Sequence, residues 1–375
     1  MCMRQKTLAR TTLYSAALFS LLLAVPPAAR GADEPVLVKP AGKETKLTLG
    51  GLVQAQGEFG DAGDSRFPKD NRFLLRRARL NGQGSFAEGF DFRVELDLGG
   101  TGTALRAQMT DGYALWNRHP ELNIRAGQFK TPFGYEQLAG DPTLFTLERS
   151  LANDRLTLGR QVGVQVSGSQ WQKRLSYAAG LFNGNGVNNG ANDGEDFLYV
   201  ARITGVPAQG KVSGRDFKWS AGAGAYASKD GGVTLGGLGF DSVTGGAVDN
   251  ILAGERAGLG LDTQVHLGSF DLWVEYLQGT FKPASEAPTD ELTAAGSYAQ
   301  LSYFVRPGKI QAVVKYEIFD PNTDKDSDDT ATILVGANYY LKGDDLKLQL
   351  DYQRSDAPGL SDGENKVLAR LQVIF

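Results

Sequence analysis

The sequence predicts an all-β fold: a 16-stranded antiparallel transmembrane β-barrel with an inward-folded third extracellular loop. Three observations predict it. Apolar and polar residues alternate with a period of two in segment after segment, as strands with one greasy and one wet face require. The links between those segments are alternately short and long. After residue 31 no run of 18 consecutive apolar residues occurs, so the sequence offers no helix to cross a membrane.

The chain has 375 residues, 41% of them hydrophobic and 10% aromatic, with 48 glycines and 14 prolines. That length suits two or three ordinary domains or one large barrel, and the hydrophobic fraction is a little low for a packed globular interior. Residues 1–31 read as a signal peptide. Arg4, Lys6 and Arg10 precede an uncharged run from Thr11 to Val25, and Ala29-Arg30-Gly31 places small residues at a cleavage site. The apolar run is too short to span a bilayer. Residues 32–46 then form a short periplasmic segment, and 47–375 the barrel. Cleavage removes the only cysteine, Cys2, and leaves an exported protein without disulfides, so its stability must come from another source, such as a closed ladder. Of 39 basic residues four lie within 1–31, so 35 face 43 acids, a net charge of −8. A nucleic-acid partner is excluded on global charge.

The alternation is cleanest over Phe90–Leu98, FDFRVELDL. Phe90, Phe92, Val94, Leu96 and Leu98 share one face, and Asp91, Arg93, Glu95 and Asp97 the other. Ile310–Ile318 and Leu346–Tyr352 repeat the pattern. Sixteen such segments are read near 47–59, 73–85, 90–98, 110–117, 121–130, 160–168, 174–183, 197–205, 216–227, 256–267, 270–281, 296–305, 309–319, 330–341, 345–354 and 365–375. Links such as AEG (87–89), GS (268–269), RPG (306–308) and KGDD (342–345) are short. Those over 60–72, 99–109, 131–159, 184–196, 228–255, 282–295, 320–329 and 355–364 are long. Sorting loops by length onto two rims describes an outer-membrane barrel. The last segment, KVLARLQVIF, alternates and closes on Phe375. Tyr113, Trp116, Tyr177, Trp219, Tyr276, Tyr339 and Tyr352 are placed as aromatic girdles.

The stretch FLLRRARL (73–80) sets Leu74, Ala78 and Leu80 against lipid and Arg77 and Arg79 toward a wet lumen. Parity leaves Arg76 outside, so it lies near the headgroup rim or a bulge shifts the register. Sixteen strands enclose an aqueous channel, which something must narrow. The third long link, 131–159, is unusually rich in Leu, Phe and Pro and is expected to fold inward as the constriction, with Phe133, Glu136, Glu148, Arg149 and Arg155 its marked residues.

Several ordered motifs carry a family resemblance: FLLRRARL, FDFRVELDL, GQFKTPFGYEQL (127–138), LERSLAND (147–154), GRQVGVQVSG (159–168), and GLFNGNG (180–186) with ARI (201–203). Over these residues the chain resembles the phosphate-selective porin O/P family. The resemblance implies a trimeric porin of the Gram-negative outer membrane that passes inorganic phosphate, pyrophosphate or other small anions along basic side chains. It points to Arg76, Arg77, Arg79, Lys130 and Arg160. Parity adds Arg93, Arg125, Arg202, Lys218, Arg256, Lys315, Lys347 and Arg370 to the inner face. Glu58, Asp91, Glu95, Asp97, Asp262, Asp271, Glu275, Glu317 and Asp351 face inward by the same rule. Nine acids against ten parity-placed bases leave a general diffusion porin open, as they leave a non-transporting structural or adhesive barrel. Outer-membrane lipid and lipopolysaccharide are the expected surroundings.

No catalytic constellation is present. His119 and His266 are the only histidines, and neither forms a Ser–His pair on the outer wall. No Cys/His metal cluster or phosphate-cradling loop occurs, and no cofactor is implied. The oxygen-rich stretches GNGVNNGANDG (184–194) and DPNTDKDSDD (320–329) read as hydrated outer loops.

Overall fold

A computed structural model describes residues 37–38, 45–61, 66–67, 70–87, 89–100, 107–192, 194, 196–234, 251–283, 291–358 and 363–375. The expected signal peptide and most of the 32–46 segment lie outside the described residues. A two-residue strand, β1 (Leu37–Val38), pairs with the start of β2. Sixteen strands then follow: β2 (Thr45–Gly60), β3 (Arg72–Ala87), β4 (Phe90–Asp97), β5 (Gln108–His119), β6 (Leu122–Lys130), β7 (Arg160–Gln170), β8 (Leu175–Phe182), β9 (Leu198–Val212), β10 (Arg215–Thr234), β11 (Ile251–Leu267), β12 (Phe270–Pro283), β13 (Leu292–Arg306), β14 (Ile310–Asp320), β15 (Thr330–Lys342), β16 (Leu346–Asp356) and β17 (Glu364–Ile374).

Each of these strands pairs antiparallel with its neighbour in sequence, and β17 returns to β2 from Lys366↔Gly60 to Ile374↔Leu52. The cylinder is closed. Closure leaves no unpaired edge, the condition for a sheet in hydrocarbon. The seam is tied by Gly51 N–H donating to the Phe375 carbonyl (2.7 Å) and Phe375 N–H to that of Gly51 (3.1 Å). The Phe375 ring lies over Gly51, where a side chain would collide with it.

The sheet is greasy without and polar within. Gln54, Gln56, Glu58, Gln311, Lys315, Gln349, Asp351 and Gln372 are buried, whereas Phe73, Ile203, Leu261, Leu301, Val314 and Val335 are exposed. In β14 the alternation runs unbroken from Ile310 to Tyr316. Such a continuous apolar exterior needs a lipid cover. No helix among the described residues is long and apolar enough to cross a membrane. The strands cross instead.

Long and short links alternate along the chain. Five short turns carry a left-handed glycine: Gly89, Gly214, Gly268, Gly308 and Gly343. Only glycine adopts that conformation without steric cost. The hairpin of β9 and β10 is longer than expected. Pairing continues from Gly205↔Ala221 to Val212↔Arg215, although Pro207 and Gly210 read as loop. Pro207 falls where the register slips between Ala208↔Trp219 and Gly205↔Ala221, a bulge where a missing N–H is tolerated. Tyr113 also departs from expectation. It faces inward, edge-on to Phe129 at 5.9 Å, and takes no part in an outer girdle.

Residues 131–159 pack inside the barrel. They hold a short helix α1 (Tyr135–Leu138), a 3-10 turn (Asp141–Thr143) and a second helix α2 (Leu151–Leu156). Ser150 caps α2, its hydroxyl accepting the Asn153 N–H at 3.2 Å. Phe133, Leu151, Ala152 and Leu156 join Val200, Tyr226, Leu277, Phe281, Ala294 and Phe319 of the inner wall in one apolar cluster.

Candidate functional site

The arginine-rich stretch contains a bulge. Gln54 pairs with Arg77 and Ala55 with Leu75, so Arg76 is the extra residue of β3. Before it Phe73 and Leu75 face outward; after it Leu80 does. Arg76 and Arg77, adjacent in sequence, therefore both point inward, with Arg79 beyond them. The bulge alternative for Arg76 holds and the rim alternative falls. Leu74, expected on the lipid face, stands opposite the buried Gln56 and faces in.

These guanidinium groups bind the inward segment. Arg76 makes a two-pronged contact with Glu148, both bonds 2.8 Å, the planar fork that suits a carboxylate. Arg370 donates to the same carboxylate at 2.6 Å and to the Leu147 carbonyl at 2.5 Å. Asp141 lies within 2.5 Å of Arg79, 2.6 Å of Arg149 and 3.1 Å of Arg77. Burial opposes ionisation of Asp141, but Arg149, Arg77, Arg79 and Lys130 outweigh it and hold its carboxyl well below the usual range. For Glu148 too burial is the largest influence and is outweighed, by Arg76, Arg370 and Arg77, so its carboxyl is also held low. Charges this deep persist only when paired in this way.

The other side of the segment is docked on β10–β16. Glu136 and Lys315, each 1% exposed, pair at 2.7 Å. The second Glu136 oxygen accepts the N–H and hydroxyl of Ser150, both at 2.8 Å. Glu275 accepts the Tyr135 and Glu136 N–H groups, Asp351 the Leu147 N–H, and Lys347 donates to the Pro142 and Leu144 carbonyls. Phe133, fully buried, meets Tyr226 edge-on at 4.9 Å. It fits above Gly224 and Gly260, where a β-carbon would press within 3.3 Å of its ring. This wall is filled.

A cavity of about 350 Å³ lies between the inward segment and the wall of β2–β7. Arg79, Arg93, Lys130 and Arg160 border it with Glu95, Asp111 and Asp141, as do Leu52, Leu138, Pro142 and Ile374. Arg160 donates to Asp111 at 2.7 Å and Arg93 to Glu95 at 2.5 Å. Lys130, from the FKTP motif, donates to the Gln137 and Ala139 carbonyls at the end of α1 (2.5 and 3.1 Å). Four cations face three carboxylates, a net charge of +1 over the lining.

The other expected site residues lie elsewhere. Arg125 points inward but lies over the rings of Tyr113 (4.7 Å) and Phe129 (5.1 Å). Arg202 pairs with Asp262 at 2.6 Å on the β9–β11 wall. Arg155 is buried in α2. Lys218 is exposed near the start of β10. Asp111 and Asp141 border the cavity and are the site residues that sequence reasoning missed. A bulge at Thr110 shifts the register of β5, and only the fold of the segment brings Asp141 beneath three arginines.

The phosphate-selective porin O and P family matches the chain over residues 48–375. The chain belongs to that family. It is a porin of the bacterial outer membrane, a channel and not an enzyme or an inert barrel. No curated protein matches the sequence. Among solved structures, an anion-selective porin from Comamonas acidovorans aligns with TM-score 0.58 at 15% identity, over 88% of this chain and 100% of that one. A loop-deletion form of Vibrio cholerae OmpT gives 0.59 at 12%, over 88% and 99%. Pseudomonas putida OprB at high pH gives 0.60 at 11%, over 88% and 94%. At such identities these likenesses bear on the fold alone.

Proposed function

We propose that the porin passes small anions, phosphate and pyrophosphate among them, by passive diffusion, and that the cavity beside 131–159 is the narrowest part of the path. The observation that carries this reading is the convergence of Arg79, Arg93, Lys130 and Arg160 on one cavity. Cationic donors there replace part of an anion's hydration shell. Their neighbouring carboxylates keep each contact weak enough for release. The family's phosphate selectivity and the anion selectivity named for the Comamonas acidovorans porin support it. Arg76 and Arg77, expected to line the channel, instead serve to hold the inward segment.

The long links belong on the outer surface, residues 1–31 are the cleaved signal peptide, and 32–46 remain in the periplasm. The apolar exterior contacts outer-membrane lipid and lipopolysaccharide. A trimer is the proposed assembly; Vibrio cholerae OmpT has a trimer form.

The test is the reversal potential of the purified protein in planar bilayers under a KCl gradient, followed by phosphate titration. Anion selectivity with phosphate block of chloride current is expected. Arg79→Gln, Lys130→Gln and Arg160→Gln should each weaken the block about tenfold, the worth of one charge-assisted hydrogen bond. The three acids in the lining favour a second reading, a general diffusion porin with weak selectivity. A reversal potential near zero would select it.

A further inference from the structure

Residues 131–159 contain six leucines. Leu144, Leu147, Leu151, Leu156 and Leu158 are all buried at 9% exposure or less, but Leu138 is 37% exposed. It is the segment's one exposed large apolar side chain, and it borders the cavity. Leu52, Pro142 and Ile374 share that lining. An apolar ledge thus adjoins the cations: Leu52 is the cross-strand neighbour of Arg79, and the backbone of Gln137, the residue before Leu138, accepts from Lys130.

We infer that the passage also takes organic anions with a short hydrocarbon body, alkanoates and small aromatic carboxylates, and sorts them by apolar area. The inference rests on the anion path proposed above. The carboxylate lies toward Arg79, Arg93, Lys130 and Arg160, and the hydrocarbon covers Leu138. A lining with one net positive charge matches a single carboxylate. A fully hydrated inorganic ion gains nothing from the ledge. Complete burial of a methylene strengthens binding about fourfold, and contact on one side about twofold.

The test is inhibition of chloride current in planar bilayers by acetate, butyrate, hexanoate and benzoate at neutral pH. The block should strengthen about twofold per methylene, with benzoate near hexanoate. In Leu138→Asn the ratio of hexanoate to acetate affinity should fall toward one. Block independent of chain length overturns the inference while leaving the anion path standing. Chain-length dependence that persists unchanged in Leu138→Asn overturns it as well, since the apolar contact then lies elsewhere. If the variant fails to assemble, the series on the unaltered protein decides. Loss of anion selectivity altogether defeats both this inference and the proposed function.

Discussion

Replacing Asp141 with asparagine removes one negative charge from among three guanidinium groups while keeping the side chain's shape and one carbonyl acceptor. Arg79, Arg149 and Arg77 lie 2.5, 2.6 and 3.1 Å away. The net charge of the cavity lining then rises from +1 to +2. A unit charge about 5 Å from a passing chloride contributes about 3 kcal/mol at an effective dielectric near 20 and about 0.8 kcal/mol in water. A hydrated passage sits toward the lower figure, so about 1 kcal/mol is expected for chloride and an opposite shift of about 1 kcal/mol for potassium, together roughly a thirtyfold rise in anion-to-cation permeability ratio. The assay is the reversal potential under a KCl gradient centred near 0.1 M, where charges interact over about 10 Å. It is repeated near 1 M, where the range is about 3 Å and the gain should fade. The unfolding temperature is measured in parallel, because loss of a buried pair destabilises by about 3–5 kcal/mol. A folded variant whose reversal potential at low salt is unchanged, or moves toward cations, refutes the assignment of this cavity to the anion path.

Phe133→Ala should weaken docking of the inward segment by about 3–5 kcal/mol, since it empties a buried aromatic site; limited proteolysis within 131–159 and noisier single-channel current would report it. Acid should act late on two of the segment's anchors. The carboxyls of Asp141 and Glu148 are held below their ordinary values, so the stability they add is fully present above about pH 4 and is lost only as pH falls through their lowered values. Current noise that depends on these two carboxyls should therefore begin only below about pH 4; a transition near pH 6 that is lost in Glu148→Gln would argue against this anchor. Single cysteines test the bulge in β3: a water-soluble reagent entering the lumen should label Leu74→Cys and not Leu75→Cys, whereas a regular strand predicts the same face for Leu74 and Leu80.

Much of the barrel was legible because period-two alternation reports directly which side of a strand is greasy. Phe90–Asp97 and Ile310–Asp320 fall where the alternation puts them. Interruptions of the period were harder to read. The extra residue at Arg76 moves Leu74 to the inner face, and a run such as FLLRR offers no local mark that separates a bulge from a strand end. The extension of β9 through Pro207 failed for a related reason, since pairing with β10 overrides local loop propensity. Tyr113 was misplaced because an aromatic near a strand end suits a girdle and an inner packing site equally well.

Alternation also cannot say which inward side chains stay wet. Ten bases and nine acids counted by parity imply a balanced lining, but that count mixes two populations. Lys315, Lys347 and Arg370 are at most 2% exposed and bind the segment 131–159. They are buried against the segment and do not border the cavity of the proposed path. Arg79, Arg93, Lys130 and Arg160 border the cavity. The division follows from where the segment's apolar side chains find cover. The β9–β14 wall offers Val200, Tyr226, Leu277, Phe281, Ala294 and Phe319, so Phe133, Leu151 and Leu156 settle there. The charged wall of β2–β7 is then the one beside the cavity. On the proposed anion path, a non-local hydrophobic match thus selects which arginines a solute can meet, and the charge expected to bear on selectivity is the +1 of one cavity rather than the near-zero of the whole inner face. Neutralising Lys347 or Lys315 should therefore lower thermal stability far more than it alters anion selectivity, and Arg160→Gln should do the reverse. Finding the two effects equal in all three variants would mean that the lumen is open around its whole circumference.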